Sequence, residues 1–176
     1  MLAVSSAQAL VVGGIDIPDQ RDDLHLQGAG LLRKGFFFKI YVGAFYTEIT
    51  NDNQQALGNA AKRIDIHYFH RTPKKYMVQT ALETLQRNLT TDQFRDLLPA
   101  INRLHAAYRD GEPGACASLL HRPGQGLTYL YNGEPVFSIP DDAFANAYFN
   151  IWLGEHPSSR SVRNAMLGDV GSSYDE

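Results

Sequence analysis

The chain reads as an α+β protein built on an antiparallel sheet, and three observations lead there. Strand-like segments come in runs and helix-like segments come in runs, without the regular alternation that makes a parallel sheet. Residues 36–47, FFFKIYVGAFYT, concentrate the aromatic and β-branched residues that strands prefer. Residues 115–121, 127–132 and 134–139 are short strand-like pieces separated by turn signals, Gly124-Gln125-Gly126 and Asn132-Gly133.

Taken in order, residues 10–18, LVVGGIDIP, predict a strand or half-hairpin closed by Pro18. Residues 19–23 predict a charged turn, and residues 24–28 a short strand that bends at Gly28 and Gly30. Gly35 permits another tight turn before the long strand. Alternation then puts Phe36, Phe38, Ile40, Val42, Ala44 and Tyr46 on one face, which reads as core. Phe37, Lys39, Tyr41, Gly43, Phe45 and Thr47 fall on the other, apolar at both ends with two polar groups in its middle. That pattern suits a strand buried on both sides, one side lining a cleft. A central strand whose Lys39 snorkels and whose Tyr41 hydroxyl reaches a rim would look the same.

Residues 51–59 predict a polar loop with a short helical turn near Ala56. Residues 62–70, KRIDIHYFH, alternate strictly, with Ile64, Ile66 and Tyr68 opposite Arg63, Asp65 and His67, the pattern of a half-exposed strand. Thr72-Pro73 starts a helix over 73–89 with an apolar stripe of Met77, Ala81, Leu85 and Leu89. Tyr76, Thr80, Glu83 and Arg87 form the neighbouring stripe. Thr90 caps a second helix to about residue 108, in which Pro99 predicts a kink or a division. Asp141-Asp142 open a third helix that Gly154 ends, and Ser158 or Ser159 caps a last short one.

The 176 residues suggest a single domain, with hydrophobic residues at 44% and charged residues at 20% as in ordinary folded proteins. A net charge of −3 without a basic cluster argues against a nucleic-acid partner. There is no apolar run long enough for an integral membrane segment. Residues 1–9 end in Ala7-Gln8-Ala9, a pattern of the signal-peptidase type, and read as the remnant of an export signal. The expected location is the periplasm, with the cytoplasm as alternative. Residues 10–168 form the domain and residues 169–176 a polar tail. Oligomeric state is not legible.

Chemistry narrows by elimination. The six histidines lack the i, i+4 spacing of a zinc protease, and His67 and His70 alternate to opposite faces of a strand. The lone Cys116 excludes an internal disulfide and a cysteine-based metal cage. No nucleophile elbow or phosphate-binding glycine loop is present. The expectation is no metal and no cofactor. What survives is Arg33 with Tyr41 and Lys39 beside an aromatic strand, plus Tyr76 on the first helix. A guanidinium holds a carboxylate bidentately, a tyrosine donates a further hydrogen bond, and an apolar slot takes the body of a small amphipathic acid or aromatic ligand.

Residues 28–46, 62–69, 101–108 and 132–157 together resemble the chalcone isomerase-like proteins, in particular their short bacterial members. The resemblance implies an open-faced β-sandwich, a large antiparallel sheet covered on one face by helices, with a ligand cleft between the layers. Plant enzymes of that family close a chalcone into a flavanone without metal or cofactor, while related members bind fatty acids and catalyse nothing. Arg33 matches the arginine that holds the ligand's anionic oxygen. Tyr41 matches the fatty-acid-binding members, where the enzymes carry threonine. Tyr76 matches an active-site tyrosine, but Glu83 stands where the enzymes have asparagine and Ile151 where they have a hydroxyl residue. The leading expectation is therefore a non-catalytic protein, exported in a Gram-negative bacterium, that binds a fatty acid or similar acid. Arg33 would anchor the carboxylate, Tyr41 donate to it, and Phe37 and Phe45 wall the apolar body. The alternative is a cofactor-independent isomerase or intramolecular lyase in which Arg33 stabilises an oxyanion and Tyr76 orders a proton. A protein-interaction module with a collapsed cleft is the third reading.

Overall fold

The computed structural model describes residues 9–48 and 57–168. The short helical turn expected near Ala56, the tail after residue 168 and all of the leader except Ala9 lie outside the described residues. A two-stranded hairpin, β1 (Leu10–Val12) with β2 (Ile15–Ile17), precedes the main sheet. That sheet joins β3 (Gln20–Arg21), β4 (Leu24–Lys34), β5 (Phe38–Thr47), β6 (Lys62–Tyr68), β7 (Cys116–Arg122), β8 (Gly126–Tyr131) and β9 (Glu134–Ile139). Its order is the order of the chain, and every neighbouring pair is antiparallel. Among the described residues four helices complete the domain: α1 (Lys74–Asn88), α2 (Thr91–Ala107), α3 (Asp142–Leu153) and α4 (Arg160–Met166). Among the described residues no helix is long and apolar enough to cross a membrane.

The helix starts follow local chemistry. Thr90 and Gln93 form a reciprocal capping box for α2, which runs through Pro99 without a break. Asp141 and Ser159 accept backbone N–H groups at the starts of α3 and α4. At α1 the cap is Pro73, which offers no side-chain acceptor, and Asp110 from beyond α2 accepts the Lys74 N–H at 2.9 Å instead.

Both faces of the sheet are buried. One face packs Phe45, Ile64, Ile66 and Leu119 against Leu85, Leu104 and Tyr148 of the helices. On the other, Val42, Ala44 and Tyr46 pack with Leu24 and with Ile17 of the β1–β2 hairpin. This second layer corrects the half-exposed reading of β6. Arg63 and Asp65 are buried, joined by a 2.6 Å hydrogen bond, with Asp22 and Arg21 completing an ion-paired network around them. Mutual charge pairing makes that burial tolerable.

The short strand expected over residues 24–28 is also corrected in length, while a bulge between Leu26 and Gly28 falls where the bend was expected. β4 continues through Gly28 and Gly30, and part of the expected charged turn at 19–23 becomes β3. The glycines serve a close approach by α4. A Cβ on Gly28 would stand 2.0 Å from the Ala165 carbonyl oxygen, and one on Gly43 would stand 2.2 Å from the Met166 methyl carbon. The absence of side chains lets the helix backbone rest on the sheet. Gly28→Ala is expected to cost about 1–3 kcal/mol, because the clash is with backbone that cannot rotate away. Urea unfolding checks this, and a stability within error of wild type would contradict the contact.

Candidate ligand-binding cavity

A cavity of about 400 Å³ lies between the sheet and the helices. Leu32, Ile40 and Ile66 approach it from the sheet, and Met77, Ala81 and Ile151 from the helices. Its polar atoms come from tyrosines, two threonines, two serines and Trp152, and no Lys, Arg, His, Asp or Glu lines it among the described residues.

One local feature decides which side chains enter. In the β4–β5 pairing, Leu32 lies opposite Tyr41 and Arg33 opposite Lys39, so Ile40 is an extra, bulged residue. The bulge breaks the alternation on which the expected faces rested. Ile40 and Tyr41 both reach the cavity, whereas Lys39 turns to the hairpin side and donates to the Gly13 carbonyl at 2.7 Å. Its ammonium also lies 5.4 Å from the Phe69 ring centre.

Arg33, next to Leu32 on the same strand and opposite Lys39, faces away from Tyr41. It is exposed and donates to the Phe36 carbonyl within its own turn at 3.2 Å. The expected Arg33–Tyr41 clamp is therefore not assembled. Phe37 is 95% exposed at the turn rather than walling the cavity, and Phe45 lies in the core beneath the helices. Tyr76 lines the cavity but is 55% exposed, which makes it a rim residue. Glu83 is exposed and accepts a 2.9 Å hydrogen bond from Gln79 on the outer side of α1.

Tyr41 keeps its place, with partners the sequence did not suggest. Burial pushes its phenol up to about 12, against hydrogen bonds from Ser158 and Trp152 that favour the phenolate. Two hydroxyls and an indole N–H thus gather in the cavity lining, with Ser158 and Trp152 donating to Tyr41 and the Tyr41 proton left for a ligand. Ser158 and Trp152 come from the end of α3 and the loop before α4, over 110 residues from Tyr41 in sequence. Nothing local signals that meeting.

A second polar line starts at Tyr108, on the opposite side of the lining. Its hydroxyl shares a 2.6 Å hydrogen bond with Tyr148, whose hydroxyl lies 2.8 Å from Nε2 of His105. Nδ1 of His105 is buried without a partner among the described residues. Burial pulls His105 down to about 4 and holds Tyr108 well above the ordinary phenol range. The phenols of Tyr41, Tyr68, Tyr108 and Tyr129 are therefore neutral at physiological pH.

Asp65, His67 and Cys116 bring one potential metal-ligand atom each within 4.8 Å of one another, on the opposite face of the sheet. The group suits a cation poorly. Asp65 is already ion-paired to Arg63 and Arg21, and burial pushes the Cys116 thiol up to about 11, so it stays protonated.

With this geometry in view, the comparisons are consistent. The chain belongs to the chalcone isomerase-like family, whose model matches residues 9–168. A solved structure of the Arabidopsis thaliana fatty-acid-binding protein AtFAP1 superposes with a TM-score of 0.74 at 14% identity, covering 92% of this chain and 97% of that one. At that identity the likeness shows a shared fold. No curated protein sequence matches the chain.

The His105 line predicts a pH signature. Above about pH 6.5 the imidazole is neutral whether folded or unfolded. Between 6.5 and 4 the unfolded chain takes up a proton that the folded chain refuses, so stability falls with acidification, by about 3 kcal/mol in full. His105→Gln removes the titration, so its stability should fall less steeply than wild type over that window. Parallel slopes in urea unfolding at several pH values would refute the buried neutral histidine.

Proposed function

We propose that this protein binds a fatty acid or a similar small amphipathic acid and does not turn it over. The observation that carries the reading is the apolar cavity between sheet and helices, with the Tyr41–Ser158–Trp152 polar group in its lining. Its volume falls within the ~300–1,000 Å³ of small-molecule sites, and its lining is mostly apolar with neutral polar groups among which Tyr41, Ser158 and Trp152 lie together. The fold shared with a fatty-acid-binding protein supports the same ligand class.

The absence of a lining cation shapes the recognition. A carboxylate buried among neutral donors lacks a counter-charge, which costs far more than burying the neutral acid. The polar head is therefore recognised by hydrogen bonding, and the protonated acid is the preferred form. Arg33, at the exposed turn, plays no part in holding it.

Affinity for a medium-chain fatty acid should rise as pH falls from 8 toward 6, by up to about tenfold per unit as the neutral fraction grows. The primary alcohol of equal chain length should bind with little pH dependence. Titration by calorimetry compares the two, and an acid that binds more weakly at lower pH would require a cationic anchor instead.

Ala117→Phe, which adds a ring from the sheet side of the cavity, should lower affinity by about tenfold or more at unchanged fold. Tyr41→Phe removes one neutral donor and should cost about threefold to tenfold. Native mass spectrometry with a series of acids reads both effects. Unaltered binding in Ala117→Phe would move the ligand out of this cavity, and no acid bound by wild type would end the reading.

A further inference from the structure

The turn between β4 and β5 carries the most exposed apolar side chains of the described molecule. Phe36 is 88% exposed, Phe37 95% and Phe38 49%. Gly35, at φ 63°, turns the chain there, and the first two rings stand clear of both strands. Single exposed apolar side chains need no explanation, but adjacent phenyl rings at a projecting tip do.

The surroundings of the tip are basic although the chain as a whole carries −3. Residues 24–47 contain Arg33, Lys34 and Lys39 and no acidic residue, and residues 66–75 contain Arg71, Lys74 and Lys75 and no acidic residue. The two stretches meet where Phe38 stacks on His70, ring centres 4.4 Å apart. Part of that charge is committed elsewhere: Arg71 pairs with Asp110 and Glu112, Lys39 points to Gly13, and Lys74 donates to the Ala106 carbonyl. Arg33, Lys34 and Lys75 remain exposed to solvent.

An aromatic tip collared by cations has the chemistry of the interface of an anionic bilayer. Rings enter the boundary between headgroups and acyl chains, and the cations meet lipid phosphates. A convex tip of two rings suits such a soft surface, which closes around it. Position matters too. Leu32 and Ile40, at the roots of the same turn, line the cavity, and exposed Tyr76 marks its rim.

We propose that the Phe36–Phe37 tip docks the protein on an anionic lipid surface, with the mouth of the cavity beside the bilayer. Docking does not depend on what the cavity holds. Its use, exchange of an acyl ligand with the membrane, rests on the fatty-acid reading above.

Flotation with phosphatidylcholine vesicles, with and without phosphatidylglycerol, tests the docking. Wild type should float with the anionic vesicles and much less with the neutral ones. Phe36→Ser with Phe37→Ser should reduce partitioning by about tenfold or more. Both residues are exposed, so thermal stability and affinity for soluble acid should stay at wild-type values. Arg33→Ser with Lys34→Ser should abolish the preference for anionic vesicles. Wild type that stays with the soluble fraction, or a phenylalanine variant that floats equally, overturns the proposal. So does a wild-type dimer that the phenylalanine variant converts to monomer without any vesicle binding, since the tip would then be a contact between two copies. Acid bound without flotation removes the docking and keeps the cavity, and flotation without acid does the reverse.

Discussion

The cavity depends on how closely α4 can lie on the sheet. Gly28, Gly30 and Gly43 leave a strip without side chains, so the helix rests on strand backbone instead of standing off it by a layer of Cβ atoms. That contact fixes the segment leading into α4. The Ser158 N–H donates to the Ile151 carbonyl at 2.8 Å, and Nε of Arg163 donates to the Leu153 carbonyl at 3.1 Å, tying the segment to the end of α3. Trp152 and Ser158 are thereby held at Tyr41 in the lining of the cavity. A helix lifted by one methyl group would part them.

Charge is sorted between the two faces of the sheet. The outer face carries Arg21, Arg63, Asp22 and Asp65, buried or half-buried but mutually paired. Lys62 is buried, with no carboxylate partner among the described residues; its ammonium is satisfied by the carbonyls of Leu57 and Gly58 and by Asn146, and burial lowers it to about 8. The helix-side cavity holds only phenols, hydroxyls, one indole and apolar groups. Burial in that chamber keeps Tyr41, Tyr68, Tyr108 and Tyr129 protonated.

Much of the fold was legible because its signals are local. The helix starts at Thr90, at Asp141 and at Ser159, and the short strands between turn signals in the C-terminal half, each follow from neighbouring residues. Tyr41 was legible as a polar group on a buried strand, and Tyr76 as a residue of the second helical stripe. Arg33 was placed by resemblance, whereas Lys39 and Phe37 were misplaced for one reason. Alternation was carried through residues 36–40, while the strand begins at Phe38 and bulges at Ile40, which reverses every assignment on the far side of the bulge. Glu83 was misplaced because a helical stripe widens toward solvent as it leaves the contact.

The sequence by itself determined the class of the fold, the order of its elements and the apolar character of the strand at its centre, since propensity, caps and periodicity act over a few residues. Only the tertiary structure decided which face each polar side chain uses, that Gly28 and Gly30 receive the α4 backbone and Gly43 the Met166 side chain, and that Trp152 and Ser158 lie against Tyr41. Those outcomes turn on register and on the approach of distant segments, where one extra residue in a strand exchanges inside for outside.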